Sequence, residues 1–259
     1  MIKHFRKMNR QYILVGFVVF CLFVLSHYLF YSNSFLSTAF YEKIWIHRVN
    51  SKEKLNEIKD SFFGVEVDVV FQDSTKCFDV NHPPEKSIGL NLNEFLSSAS
   101  GNKKLFYWLD FKNLEPSNQM LAIECLNTIT DKLLISKNQI IVESPRVELL
   151  DNFSKQGYQV SYYLHWPGLY TLSDSNLNQE LIKINSIINN LNWNGFISSD
   201  YRDYSLLNKY FSKHKKLLWL DDSFGKENKF RDRLTLFEML NDDDVSVVLM
   251  KYKAKTIER

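Results

Sequence analysis

From Ile44 onward, short apolar runs alternate with longer stretches whose apolar residues recur at helical spacing, the pattern of a βα repeat. Strands are predicted at 44–48, 63–71, 105–111, 139–143, 159–164, 195–198, 216–220 and 245–249, with a small extended piece at 77–81. Helices are predicted at 51–60, 92–97, 118–133, 146–156, 177–189, 204–212 and 229–240. Ser51 stands where an N-cap belongs, and Gly157 where a helix ends on a glycine. Eight strands alternating with helices close naturally into a (β/α)8 TIM barrel. An open doubly wound sheet is the main alternative. Neither G-x-G-x-x-G nor G-x-x-x-x-G-K-[ST] occurs to favour a nucleotide-binding version of it.

Ahead of the repeat, Tyr12 to Tyr31 is almost unbroken apolar sequence. About 20 such residues cross the roughly 30 Å hydrocarbon layer as a helix. Lys3, Arg6, Lys7 and Arg10 precede it, which places the N-terminus in the cytoplasm and sends the rest across the membrane. A cleaved signal peptide is the competing reading, but Phe30-Tyr31-Ser32-Asn33-Ser34 offers no clear small-x-small site. The expected organisation is a basic cytoplasmic tail at 1–11, a transmembrane anchor at 12–31, a linker at 32–43 and a barrel domain at 44–259. That domain would lie on the periplasmic or extracellular side.

Composition narrows the function. Among 259 residues, 45% are hydrophobic and 24% charged, which suits a folded domain rather than a disordered chain. A net charge of +2, with no long basic run beyond the first ten residues, argues against nucleic acid as a partner. Three cysteines are too few for a disulfide framework and match no zinc spacing. Cys77 and Cys125 form a possible pair whose state the sequence leaves open.

Strand ends hold the chemistry. Side chains alternate along a strand, so Glu66 and Asp68 share one face while Val65, Val67 and Val69 take the other. Two carboxylates on one buried face repel and resist desolvation, so they need a cation. Asp110 and Lys112 share a face in the same way. Polar groups recur at His47 and Arg48, at His82, at Glu143, at His165 and Trp166, and at Asp221 and Asp222. Active residues of a barrel lie at these C-terminal strand ends. Each has a plainer role open to it. His165 and His214 read as hydrogen-bonded structural residues, Glu143 as either a helix cap or a site residue, and Asp221 and Asp222 as a solvated acidic loop. Glu66 and Asp68 would also suit a metal-free network with Arg48 and Lys112. Tyr162, Tyr163, Trp166 and Tyr170 are placed to stack on a sugar or line a lipid-like substrate.

Taken in order, His47-Arg48, Glu66-x-Asp68, His82 and Asp110-x-Lys112 resemble the glycerophosphodiester phosphodiesterase superfamily, whose signature runs H-R-G, E-x-D, H-D and E-x-K. His47-Arg48-Val49-Asn50-Ser51, Glu66-Val67-Asp68-Val69, His82-Pro83-Pro84 and Leu109-Asp110-Phe111-Lys112 look most like its menorin-type branch. The resemblance covers residues 44–145, and beyond them rests on Glu143-Ser144, Trp219 and the βα period. It implies a barrel of the phospholipase-C-like type in which Glu66, Asp68 and Asp110 hold a divalent metal. All-oxygen ligation favours Ca²⁺ or Mg²⁺ over zinc. It further implies His47 and His82 as general base and acid, Arg48 and Lys112 on the phosphate or metal, and Glu143 and Trp219 toward substrate. The chain departs from the signature at Val49 for glycine, Pro83 for aspartate and Asp110 for glutamate.

Two functions follow as expectations. One is a membrane-anchored, metal-dependent phosphodiester hydrolase acting on a glycerophosphodiester, a lipid headgroup or a phosphodiester-containing glycan. The other, motivated by the departures, is a catalytically inactive barrel acting as an envelope or extracellular binding and adhesion module. A glycosidase is disfavoured, because Glu66 and Asp68 on one strand cannot flank a sugar from opposite faces.

Overall fold

A computed structural model of the chain describes residues 2–99, 101 and 104–254, with side chains described from residue 12 onward. Most of the expected basic tail therefore appears as backbone alone, and the last five residues of the expected barrel domain lie outside the described residues. The chain divides into two compact units, Met1–Tyr41 and Glu42–Arg259.

The first unit is a long helix, α1 (Ile2–Tyr31), followed by a short one, α2 (Asn33–Ala39). Within α1, Tyr12–Tyr31 is long and apolar enough to cross a membrane, a property that a spanning anchor and a signal sequence share. The stretch after it, expected as a linker at 32–43, includes α2. The Ser32 hydroxyl caps its first turn by accepting the Phe35 N–H at 3.1 Å, which local hydrogen bonding alone can achieve.

In the second unit the βα repeat closes. The strands are β1 (Ile44–His47), β2 (Gly64–Gln72), β3 (Cys77–Val80), β4 (Phe106–Phe111), β5 (Ile140–Ser144), β6 (Gln159–Tyr163), β7 (Phe196–Asp200), β8 (Lys216–Trp219) and β9 (Val245–Lys251). Eight of them run parallel in the order β1-β2-β4-β5-β6-β7-β8-β9. The β9–β1 and β1–β2 pairings join the two ends into a barrel. The ninth, β3, pairs antiparallel with β2 (Val69 opposite Val80) and stands outside the ring. The helices are α3 (Lys52–Ile58), α4 (Leu92–Ser97), α5 (Gln119–Leu133), α6 (Asp151–Lys155), α7 (Asp174–Asn190), α8 (Tyr204–Tyr210) and α9 (Lys229–Asn241). The helix expected at 146–156 is broken. A 3₁₀ turn over Val147–Leu149 precedes a short α6, following the turn that Pro145 imposes.

Strand alternation sorts the side chains into two cores. Ile46, Val65, Val67, Val69, Leu109 and Phe111 point outward and pack with helix residues such as Leu55, Ile58, Phe95 and Leu126. Trp45, Trp108, Ile141, Leu217, Trp219, Val247 and Leu249 point inward and fill the barrel. Trp45 needs Gly64 on the neighbouring strand, where a Cβ would lie 2.2 Å from the indole. One step farther along the same inward faces come His47, Asp68, Asp110 and Glu143. The barrel thus has an apolar floor and a polar mouth at its C-terminal end.

Candidate active site

A cleft of about 800 Å³ opens at that mouth. His47, Arg48, Glu66, Asp68, His82, Asp110, Lys112, Glu143 and Trp219 all line it. Every residue singled out for the site therefore meets there, although the residues come from five strands and three loops. Tyr163, Trp166, Asp221 and Asp222 line it as well. Tyr162 is buried on the opposite face of β6, and Tyr170 lines a separate depression beneath the Arg202 guanidinium, 4.1 Å from its ring centre.

On β2 and β4, aligned side by side with Asp68 opposite Asp110, sit the three acids. Glu66, Asp68 and Asp110 each offer an oxygen, and the three oxygens lie within 4.8 Å of one another. Burial, then Asp68 and Asp110, push the Glu66 carboxyl well above the usual carboxylate range. Asp110 is also raised, by burial first, against the pull of Lys112. Lys112 Nζ supplies a positive charge, 2.8 Å from Asp68 Oδ1 and hydrogen-bonded to Asp110. Burial pulls its ammonium down, but Asp110, Asp68 and Glu66 outweigh that and hold it above the ordinary lysine range. This converging all-oxygen donor set fits a hard divalent cation, which would relieve the repulsion that raises Glu66 and Asp110.

His47 ends β1 and Arg48 follows it. His47 Nε2 lies 3.7 Å from Glu66 Oε2. Burial and then Arg48 depress the imidazole pKa to about 3, so the ring is neutral at physiological pH. Arg48 adopts the left-handed region at φ 52°. For a non-glycine residue this costs about 1–2 kcal/mol. The turn aims the Arg48 N–H at Glu66 Oε2, 2.6 Å away, and lets its guanidinium reach His82 Nε2 at 3.2 Å. A guanidinium only donates, so His82 accepts through Nε2 and carries its proton on Nδ1 in this arrangement. Val49, which replaces the signature glycine, is fully buried and donates its N–H to the Glu66 carbonyl at 2.8 Å.

Glu143 sits on β5 opposite Asp110 and is 2% exposed. Ser161 Oγ donates to it at 2.8 Å, and Ser198 also bonds it. Of its two expected roles, the structure places it in the cleft; the turn after β5 is held by Ser144 Oγ, which accepts the Arg146 N–H at 3.2 Å. Burial, then Asp110, raise its carboxyl pKa to about 8. Asp221 is paired with Arg202 and Asp222 with Lys251. His165 and His214 do not line the cleft.

Three supporting residues carried no assigned role in the sequence. Asn50 bonds Asp68 through both its side-chain amide groups. Asn113 does the same for the Phe71 backbone, tying the end of β2 to the loop after β4. Lys54 is 8% exposed on α3 and donates to the carbonyls of His47 and Arg48 at 3.2 and 2.8 Å, fixing the strained turn. Only Asn50 had a signal, its place in the H-x-V-N-S stretch. The other two read as ordinary helix and loop residues.

No protein-family model matches this chain, and no curated protein matches its sequence. Solved structures do match in fold. A glycerophosphodiester phosphodiesterase from Parabacteroides distasonis superposes with a TM-score of 0.55 at 14% identity, covering 80% of this chain and 91% of that one. A phosphodiesterase from Oleispira antarctica, solved with the product sn-glycerol-3-phosphate, gives 0.54 at 11% identity, covering 82% and 94%. At these identities the likeness concerns the fold. The chain is a closed parallel (β/α)8 barrel, similar in fold to these phosphodiesterases.

Proposed function

We propose that this protein is a metal-dependent phosphodiester hydrolase of the glycerophosphodiester phosphodiesterase superfamily. The observation that carries this reading is the convergence of two histidines, an arginine, a lysine and three acids on one cleft from separate strands and loops. The menorin-type motifs support a placement in that branch. The apolar helix supports attachment to a membrane with the basic N-terminus in the cytoplasm and the barrel on the far side.

Glu66, Asp68 and Asp110 would hold the divalent ion, Ca²⁺ or Mg²⁺ by donor type. Bound there, the ion would polarise the phosphoryl group as a Lewis acid. Arg48, already at the mouth, would grip the phosphate with two donors and so leave His82 Nε2. His47, neutral and buried beside Glu66, is the base that takes the proton of the attacking hydroxyl. His82, which takes up a proton from solvent at Nε2 once Arg48 has left it, then gives that proton to the departing alkoxide. Where the substrate carries a vicinal hydroxyl, that hydroxyl is the attacking group and a cyclic phosphate results. Lys112 pairs with Asp68 and Asp110 and adds positive charge beside the phosphate.

The test is hydrolysis of a chromogenic phosphodiester and of glycerophosphodiesters by the full chain in detergent, with Ca²⁺, Mg²⁺ and Mn²⁺ titrated against a chelator. Metal-dependent turnover that disappears in His47→Ala and His82→Ala is expected. Turnover unchanged in both variants overturns the mechanism. Absence of turnover together with absence of divalent-ion binding leaves the barrel as a binding module.

A further inference from the structure

Two thiols of the barrel unit stand outside the chemistry of the cleft. Of the chain's three cysteines, Cys21 lies in the apolar run of α1, which leaves Cys77 on β3 and Cys125 on α5. Both are free thiols, partly open to solvent, and both line one depression of about 380 Å³. Its walls are the start of β3, the residues around the start of α4, and a stripe of α5 on which Leu121, Cys125 and Ile129 recur every fourth position. β3 is paired with β2 along one edge. At its other edge the Val80 N–H donates to the Leu90 carbonyl at 2.7 Å, and the Phe78 N–H donates to the Cys125 sulfur. That N–H belongs to the peptide joining Cys77 to Phe78, so the Cys125 sulfur rests against the backbone of Cys77 itself. Burial pushes the Cys125 thiol up against the pull of this hydrogen bond, and the nearby Cys77 raises it further.

Thiols in such a place have three uses. Cysteines that serve packing alone are sealed in a core, and these two are not. A structural zinc site needs four ligands, and among the lining residues only the exposed Glu124 carboxylate joins the two sulfurs as a usual ligand type. A bond between the sulfurs needs only an oxidant that can reach them, and the depression gives it access.

We infer that Cys77 and Cys125 are a redox pair that closes into a disulfide in the folded barrel and staples β3 to α5. The oxidant is a small disulfide, R–S–S–R. One protein thiolate attacks a sulfur of R–S–S–R, breaks its S–S bond, forms a mixed disulfide and releases R–S⁻, which takes up the proton. The second thiolate attacks the protein sulfur of the mixed disulfide, forms the Cys77–Cys125 bond and releases the second R–SH. The protein loses two electrons and two protons, and the oxidant gains both. The staple fastens a strand that stands outside the ring and runs on to His82. Cross-linking also restricts the unfolded chain, which stabilises the closed form.

The experiment compares the full chain in detergent after equilibration with reduced and with oxidised glutathione, each quenched with N-ethylmaleimide, with a urea-unfolded sample run alongside. The oxidised protein is expected to lose two hydrogens in intact mass and to take up no maleimide at Cys77 or Cys125. Non-reduced tryptic digestion should yield the peptide pair that joins them. The thermal midpoint should stand about 5–10 °C above that of the reduced sample. In Cys77→Ser and in Cys125→Ser neither the bond nor the rise should appear. The wild-type comparison decides the matter by itself if a variant does not fold. Thiols that stay free, glutathione that remains attached to either cysteine, or a bond that forms only in urea overturns the redox pair. A bond without a rise in the midpoint overturns the staple.

Discussion

Asn50 grips Asp68 at two points: its Nδ2 donates to Asp68 Oδ2 at 2.7 Å, and its Oδ1 accepts the Asp68 backbone N–H at 3.0 Å. One amide thereby fixes both the strand end and the rotamer of a carboxylate proposed to bind metal. Asn50→Ala should weaken divalent-ion affinity by about 10–100-fold, the usual effect of losing an orienting partner. It should also cost about 1–3 kcal/mol for the buried groups left unpaired. Calorimetric ion titration and urea denaturation of the same variant read the two effects separately.

Lys112 is the cation that Asp68 and Asp110 share. Lys112→Met would leave buried carboxylates uncompensated and lower stability by about 3 kcal/mol. A divalent ion should restore much of this, since an ion at 100 times its Kd adds about 2.7 kcal/mol. Thermal melts with and without Mg²⁺ should show a larger ion-induced rise in the variant than in the wild type. An equal rise would mean that the ion does not sit among these acids.

Glu143 gives a signed pH dependence. Its folded pKa, about 8, lies above the ordinary carboxylate value of 4.5. Between those pH values the folded protein keeps a proton that the unfolded chain has released. Stability must therefore fall as pH rises from 4.5 to 8, by at most about 1.4 kcal/mol per pH unit for one proton. Glu66 and Asp110 shift in the same direction and add to the slope. Glu143→Gln should flatten the profile by one proton, as read from chemical denaturation across this range in chelator.

Gly64 lies under the Trp45 indole, 2.2 Å from where a Cβ would stand. The obstacle is a ring buried inside the barrel rather than a flexible chain end. Gly64→Ala should destabilise the barrel by about 1–3 kcal/mol or more, with no change in the charge of the cleft. Denaturant midpoints would show it.

The membrane reading makes its own prediction. Val18 lies in the middle of the apolar run. Arginine at a helix centre costs about 2.5–3.5 kcal/mol for insertion. Val18→Arg should move the protein from the carbonate-resistant membrane fraction to the soluble one. The intact mass of the wild-type membrane form separates an anchor from a cleaved signal.

The chain's own order of residues determined the repeat, the apolar N-terminal helix and the identity of the polar cluster. These are local matters. Strand alternation alone puts Glu66 beside Asp68 and Asp110 beside Lys112, and the helical spacing around them needs no partner to be read. Tertiary structure decided the rest. Pairing of β5 with β4 set Glu143 beside Asp110, closure of β9 on β1 brought Trp219 to the same cleft as the acids, and no spacing along the chain encodes a distance across a barrel. Barrel packing also made Glu143 a cleft residue rather than a cap, and turned Lys54 inward to hold the Arg48 turn. A buried polar side chain takes its role from the neighbours that replace water around it, and those neighbours exist only once the strands have closed.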